Sequence, residues 1–255
     1  MAYFVKKHSI VRKIWGDGDT ILFIFAGASA EFALNKAVDW LYFTGKLPTD
    51  PLGRLFSTVA YARKIVFSDY PSALKTIDQI TAIHQNVEKS RGDKIPDWAF
   101  RDVLFMLIDY SIRSYEILKK PLSEEEKAEV FEVFNRVGLR MGIQSLPANY
   151  EEWELHRANH LLQNLACNPF THNLYQQYAK HLGYIRYRFL IQAQALVCPT
   201  AVLSLLHKHP WLIWLKPILA VYKLIKKIGL QHILRDIILP KNYKLQIRNL
   251  DVHRN

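Results

Sequence analysis

Helix-start signals recur along this chain at intervals of about one helix, and no run shows the strict two-residue apolar alternation of a half-buried strand. Asp50-Pro51 supplies an N-cap and a first-turn proline, which predicts a helix over 51–67. Pro71 opens a second over 71–90, and Pro96 a third that runs to Lys120. Ser123 with Glu126 has the spacing of a capping box and starts a helix ending near Gly142. Asn149 with Glu152 repeats that pattern for a helix to about Leu165. Residues 20–43 read as one long apolar helix whose middle, Ala26 to Ala30, is built of small residues that allow close packing. Further helices are expected at 172–192, 197–207, 211–229 and 230–238. Gly16-Asp17-Gly18-Asp19 resembles part of a calcium loop but lacks the downstream Glu, and reads as a turn before a helix. The expectation is an all-α fold, one helical bundle with short linkers.

The net charge of +11 sits at the two ends. Residues 1–15 carry four Lys or Arg and no acid, 16–207 carry 20 basic and 21 acidic residues, and 208–255 carry ten basic and two acidic. This divides the chain into a basic N-terminal segment (1–15), a near-neutral helical domain (16–207) and a basic amphipathic C-terminal segment (208–255). Lysines interleaved with Trp211, Trp214 and several Leu and Ile residues suit a lipid interface better than a phosphate groove. Peripheral membrane contact through this segment is therefore expected, and nucleic acid is not. The longest charge-free run, Phe189–Leu206, contains Gln192, Gln194 and Pro199 and reads as a core helix rather than a membrane span. Cys167 and Cys198 form no CxxC pair, which excludes a cysteine zinc site. The N-terminus lacks the apolar core of a secretory signal, so an intracellular location, cytoplasmic or peripheral to a membrane, is expected.

Three constellations bear chemistry. On helix 71–90, Ala73, Ile77, Ile80, His84 and Val87 follow steps of four and three and share one stripe. His84 thus sits within an inward apolar face, where its polar nitrogens need a partner, either a backbone carbonyl or a metal such as iron. On the preceding helix, Arg54 and Thr58 are spaced i, i+4 with Tyr61 nearby. A guanidinium and a hydroxyl one turn apart can hold the carboxylate of a bound group or orient a bound oxygen species, or be an incidental surface pair. Glu152, His156 and His160 fall at i, i+4, i+8 and form a familiar zinc or non-haem iron set. The apolar positions of that helix are Leu155, Ala158, Leu162 and Leu165, so the Glu/His/His row is expected to face solvent. No GxSxG, HExxH, P-loop or GxGxxG motif is present.

The stretch TILFIFAGASAEFALNKAVDWLYFTGKLPTDPLGRLFSTVAYARKIVFSD, then IDQITAIHQNV and DWAFRDVLFMLIDYSIRSYEILKKPLSEEEKAEVFEVFNRVGLRMGI, resembles the MpaB / rubber oxygenase catalytic domain over roughly residues 15–160. The resemblance rests on Arg54-x-x-x-Thr58, on Ile83-His84-Gln85-Asn86-Val87 and on Pro121-Leu122-Ser123 with Glu126. It implies a globin-like helical core that binds b-type haem, with His84 as proximal iron ligand and Arg54 and Thr58 against the haem. Ser57 stands where some rubber oxygenases have a removable lysine ligand, and Asn35-Lys36-Ala37 stands where many members have a His-Pro pair. The implied activity is addition of O2 to an unsaturated, isoprenoid-like substrate with cleavage of a C=C bond. Asp39 is the candidate base for an allylic proton, with Glu31 the runner-up. Two other classes compete: a non-catalytic helical protein docking on membranes, and a non-haem metal enzyme built on Glu152, His156 and His160.

Overall fold

The expected caps at Asp50, Ser123 and Asn149 are present in the computed structural model, but Glu152 accepts from Ala148 N and closes no box on Asn149. The structure describes residues 2–45 and 49–206, with backbone alone at Leu55. Ten helices occur among them: α1 (Ile10–Trp15), α2 (Gly18–Leu34), α3 (Val38–Phe43), α4 (Pro51–Phe67), α5 (Tyr70–Arg91), α6 (Asp97–Leu118), α7 (Glu124–Met141), α8 (Tyr150–Gln163), α9 (Pro169–Val197) and α10 (Thr200–Leu205). The described residues contain no strand, only isolated bridges at Tyr3–Asp69 and Asn35–Leu165. The chain is an all-α bundle. The helices expected at 211–229 and 230–238, and the segment 208–255, lie outside the described residues.

Asp50 caps the Gly53 amide of α4, and Asp69 caps Ser72 on α5, which ends at Gly92 in the left-handed region. Ser123 and Glu126 form the reciprocal capping box of α7. Asp17 caps α2 through Thr20, the turn expected before that helix.

Two expectations change. The helix expected over 20–43 is broken at Asn35, whose side chain donates to Asp102 Oδ2 and accepts from Ala37 N. Such side-chain bonding to nearby backbone competes with helix continuation. The segment 1–15 is no separate basic appendage. Phe4, Val5, Ile10, Val11, Ile14 and Trp15 are buried in the main core, and Trp15 Nε1 donates to Ser111 Oγ at 3.1 Å. Arg12 stacks over Tyr3 and Phe67, so its charge lies along apolar surface at the rim.

Helix α2 forms the axis of the bundle, packed between α6 and α9. The small-residue stretch makes this approach feasible. A Cβ at Gly27 would collide with the ring of Tyr110 on α6. Around it, Ile21, Ile24, Ala30 and Leu34 meet Leu104, Met106, Ile108 and Tyr110 in a continuous apolar core. Helices α4 and α5 pack as a pair on one flank of this axis, and they carry the first two motifs.

Candidate functional site

Helix α5 orients its face by apolar spacing: Ala73 and Ile77 are fully buried, while Ile80, His84 and Val87 are half-buried. The stripe therefore tilts from core to rim, and His84 lies where the helix leaves the packed interior. Its Nδ1 is buried with no hydrogen-bond partner, so the main chain does not satisfy that nitrogen. Phe100 of α6 meets the imidazole edge to face at 5.1 Å. Burial, aided by the positive charge of Arg54, pushes the His84 pKa down to about 4. At neutral pH the ring is uncharged and keeps a lone pair, which is the form that binds metals.

Arg54 on α4 thus lies within electrostatic range of His84, and the structure brings the first two motifs together across the α4–α5 pair. The Arg54 guanidinium donates to Ser57 Oγ at 3.3 Å and Thr58 Oγ1 at 3.2 Å. Among the described residues it forms no ion pair with a carboxylate, and burial lowers its pKa, with Tyr61 acting in the opposite direction. A half-buried guanidinium satisfied by two hydroxyls keeps its charge uncompensated, which favours an anionic group beside it.

A cavity of about 220 Å³ adjoins His84, lined by Thr81, Gln85, Glu88, Lys94, Phe100 and Met141 among others. That is smaller than the roughly 300–1,000 Å³ of drug-sized ligand sites, and three of those lining residues are charged or amide-bearing. This cavity is not a porphyrin slot. The fit to haem rests instead on the donor chemistry: a neutral, orphaned imidazole nitrogen beside an unbalanced guanidinium matches a group that carries both a metal and carboxylates.

Asp39 lies on α3, its Oδ2 held by Arg91 Nη2 at 2.7 Å, with Arg91 stacked 4.0 Å over Trp40. The pair ties α3 to the end of the His84 helix. Glu31, the other carboxylate considered as a base, is fully buried in a charge network. Its oxygens accept from both Arg157 terminal nitrogens at 2.5 and 2.7 Å and from Tyr110 Oη at 2.8 Å. Burial alone would raise its pKa, but the charge and hydrogen bonds of Arg157, with His160, outweigh that and hold it at about 2. So strong a clamp leaves no base.

The Glu152/His156/His160 expectation divides. Glu152 and His156 are half-exposed and 3.6 Å apart, and Glu152 Oε2 accepts from Ala148 N in the first turn of α8. His160 instead points inward. Its Nε2 lies 2.7 Å from Glu31 Oε1 and its Nδ1 2.5 Å from Asp102 Oδ1. The expected solvent-facing row is thus wrong at His160, and most of the expected inner face is turned out: Leu155 and Leu162 are 68% and 77% exposed, while Leu165, just past the helix, is buried. What α8 buries is Tyr150, Trp153, Arg157 and His160. The reason is electrostatic. Asp102 and Asp109 of α6 and Glu31 of α2 present buried carboxylates, and Arg157 and His160 are the cations that reach them. Glu152, His156 and His160 therefore share no site, and no group of three or more His, Cys, Asp or Glu placed to hold a metal ion occurs among the described residues.

Sequence reasoning missed this network. Its signal is a charged residue on an otherwise apolar face, repeated on three helices: Glu31 on α2, Asp102 and Asp109 at i, i+7 on α6, Arg157 and His160 at i, i+3 on α8.

The chain matches a family model over residues 12–228, described as the ER-bound oxygenase mpaB/B'/rubber oxygenase, catalytic domain. No curated protein and no solved structure matches it.

Proposed function

The chain belongs to the mpaB/B′ and rubber oxygenase catalytic-domain family and so to a family of oxygenases, and from that premise we propose that it is a haem-b-dependent oxygenase acting on a hydrophobic, unsaturated, isoprenoid-like substrate. The observation that carries the reading is the uncharged, unsatisfied imidazole of His84 next to the unbalanced charge of Arg54. His84 would hold the iron through a ring nitrogen, and Arg54 would receive a carboxylate of the same group. When bound, the haem would supply redox-active iron chemistry for the use of O2.

The residues of the chain do the rest. Depressing the His84 pKa to about 4 keeps the ligand in its metal-binding form across the physiological range. Thr58 accepts from Arg54 Nη1 and donates its own O–H to the Arg54 carbonyl, so it holds the guanidinium in place for an anionic group. Phe100, packed edge to face on the imidazole, limits its rotation and sheds water from one side. Asp39 is our candidate acceptor for the allylic proton, with Arg91 holding one of its two oxygens. The basic, Trp-containing segment 208–255 makes peripheral contact with a membrane, the phase that holds a lipophilic alkene. No helix among the described residues is long and apolar enough to cross one.

Haem-reconstituted protein incubated with a polyprenyl chain under ¹⁸O2 tests the activity. The expected outcome is a carbonyl product carrying ¹⁸O, and unlabelled, uncleaved substrate would contradict the reading.

A further inference from the structure

From Leu155 to Arg235 the chain contains no Asp or Glu and ten Lys or Arg. Arg157 among these is clamped by Glu31 and Asp109, and α9, the longest described helix, carries Lys180, Arg186 and Arg188 with no Asp or Glu of its own. At Gly183 the backbone takes φ 72° and ψ 167°, a conformation that glycine adopts without steric cost, and the helix changes direction there.

Beyond the kink α9 is apolar on both sides. Tyr187, Leu190 and Ile191 turn inward, packing against the second apolar cluster around Leu174, Tyr178 and Leu182. On the outer side Tyr184 is 78% exposed, Ile185 64% and Phe189 42%, with Arg188 exposed among them and Lys180 exposed just before the kink. Ile185 and Phe189 are one turn apart, as are Tyr184 and Arg188, so two adjacent rows present aromatic and aliphatic groups with a guanidinium between them. A surface helix ordinarily sets a polar face opposite its buried one. Large apolar side chains in that place, with cations and no anion, are what a helix lying in a lipid headgroup layer carries: rings enter the acyl boundary while Lys and Arg reach lipid phosphates.

We propose that this outer face of α9, Tyr184, Ile185 and Phe189 flanked by Lys180 and Arg188, seats on an anionic lipid bilayer. The charge pattern selects lipid over a protein groove, because the cations need a diffuse anionic layer rather than a single partner carboxylate. The face lies within the described helical domain, so it is distinct from the contact proposed for 208–255 and independent of haem binding.

Vesicle co-flotation of the full chain tests it, with liposomes of phosphatidylcholine alone and with phosphatidylglycerol added. Wild type is expected to float with the anionic vesicles and far less with the neutral ones. The triple variant Tyr184→Ser, Ile185→Ser, Phe189→Ser is expected to lose at least about tenfold in partitioning while its circular dichroism and Tm without lipid stay unchanged. Lys180→Glu with Arg188→Glu, which touches no buried side chain, is expected to lose binding to anionic vesicles selectively. Reversal of Lys223, Lys226 and Lys227 to Glu reports separately on the C-terminal segment. If the triple and the double variant both float like wild type, the α9 surface is refuted, whatever the C-terminal variant does. A large fall in Tm of the triple variant without lipid refutes it too, since the face is then covered by protein.

Discussion

Arg54 helps burial keep the His84 imidazole neutral, and its own charge is left for an anion. Arg54→Met removes that charge and two hydrogen bonds, so haem affinity is expected to fall about tenfold or more, by the ~1.5–3 kcal/mol of a charged hydrogen bond. A haemin titration followed by absorbance measures it. Asp39→Asn is expected to retain full haem yet slow turnover, and unchanged turnover in that variant would remove Asp39 from the chemistry. His84 itself was legible from the four-three spacing of its stripe. Its electrostatic coupling to Arg54 was not, because residues thirty apart in sequence meet only when α4 and α5 pack.

At the scale of elements, α8 shows how far buried charge overrides hydropathy. Its leucines at 155 and 162 face solvent while Arg157 and His160 face inward, since Glu31 and Asp102 would otherwise have no cation in the core and Asp109 only Arg113. Removing one partner of such a set costs about 3–5 kcal/mol. Arg157→Met is therefore expected to lower unfolding stability by that amount in a denaturant titration, and a change under 1 kcal/mol would show the network to be incidental. The pH dependence has two arms. Burial opposes the charge of His160, but its bonds to Asp102 and Glu31 win and raise its pKa. Its contribution is thus full below the ordinary histidine pKa and lost as pH rises through the raised value. Glu31, held at about 2, contributes above the ordinary carboxylate range and loses that contribution as pH falls toward 2. His160→Gln is expected to flatten the alkaline arm of a Tm-against-pH profile and leave the acid arm in place. Capping signals made the starts of α4, α7 and α8 readable in advance, because each is a local side-chain-to-backbone bond, and Pro71 marked the start of α5. The break at Asn35 was not readable, since it depends on Asp102, 67 positions away.

Taken whole, the molecule is an axis, α2, with a charge-clamped flank at α6 and α8 and the pair α4 and α5, which carries Arg54 and His84, on the other side of its packing. The clamp needs a close approach of α2 to α6, which Gly27 permits against Tyr110. Gly27→Ala is expected to cost about 1–3 kcal/mol by overpacking, read as a lower denaturation midpoint with the slope unchanged. The all-α class was legible from the caps and the missing alternation, whereas the direction in which α8 faces was settled only by partners far off in sequence. The central claim, that this bundle grips haem through one histidine, has its most direct test in a haemin titration of wild type, His84→Ala and His84→Gly with added imidazole, followed by absorbance in the Soret region. Saturable binding by wild type, loss in the alanine variant and return of the wild-type spectrum with imidazole are predicted. Full haem with an unchanged spectrum in His84→Ala would contradict the assignment.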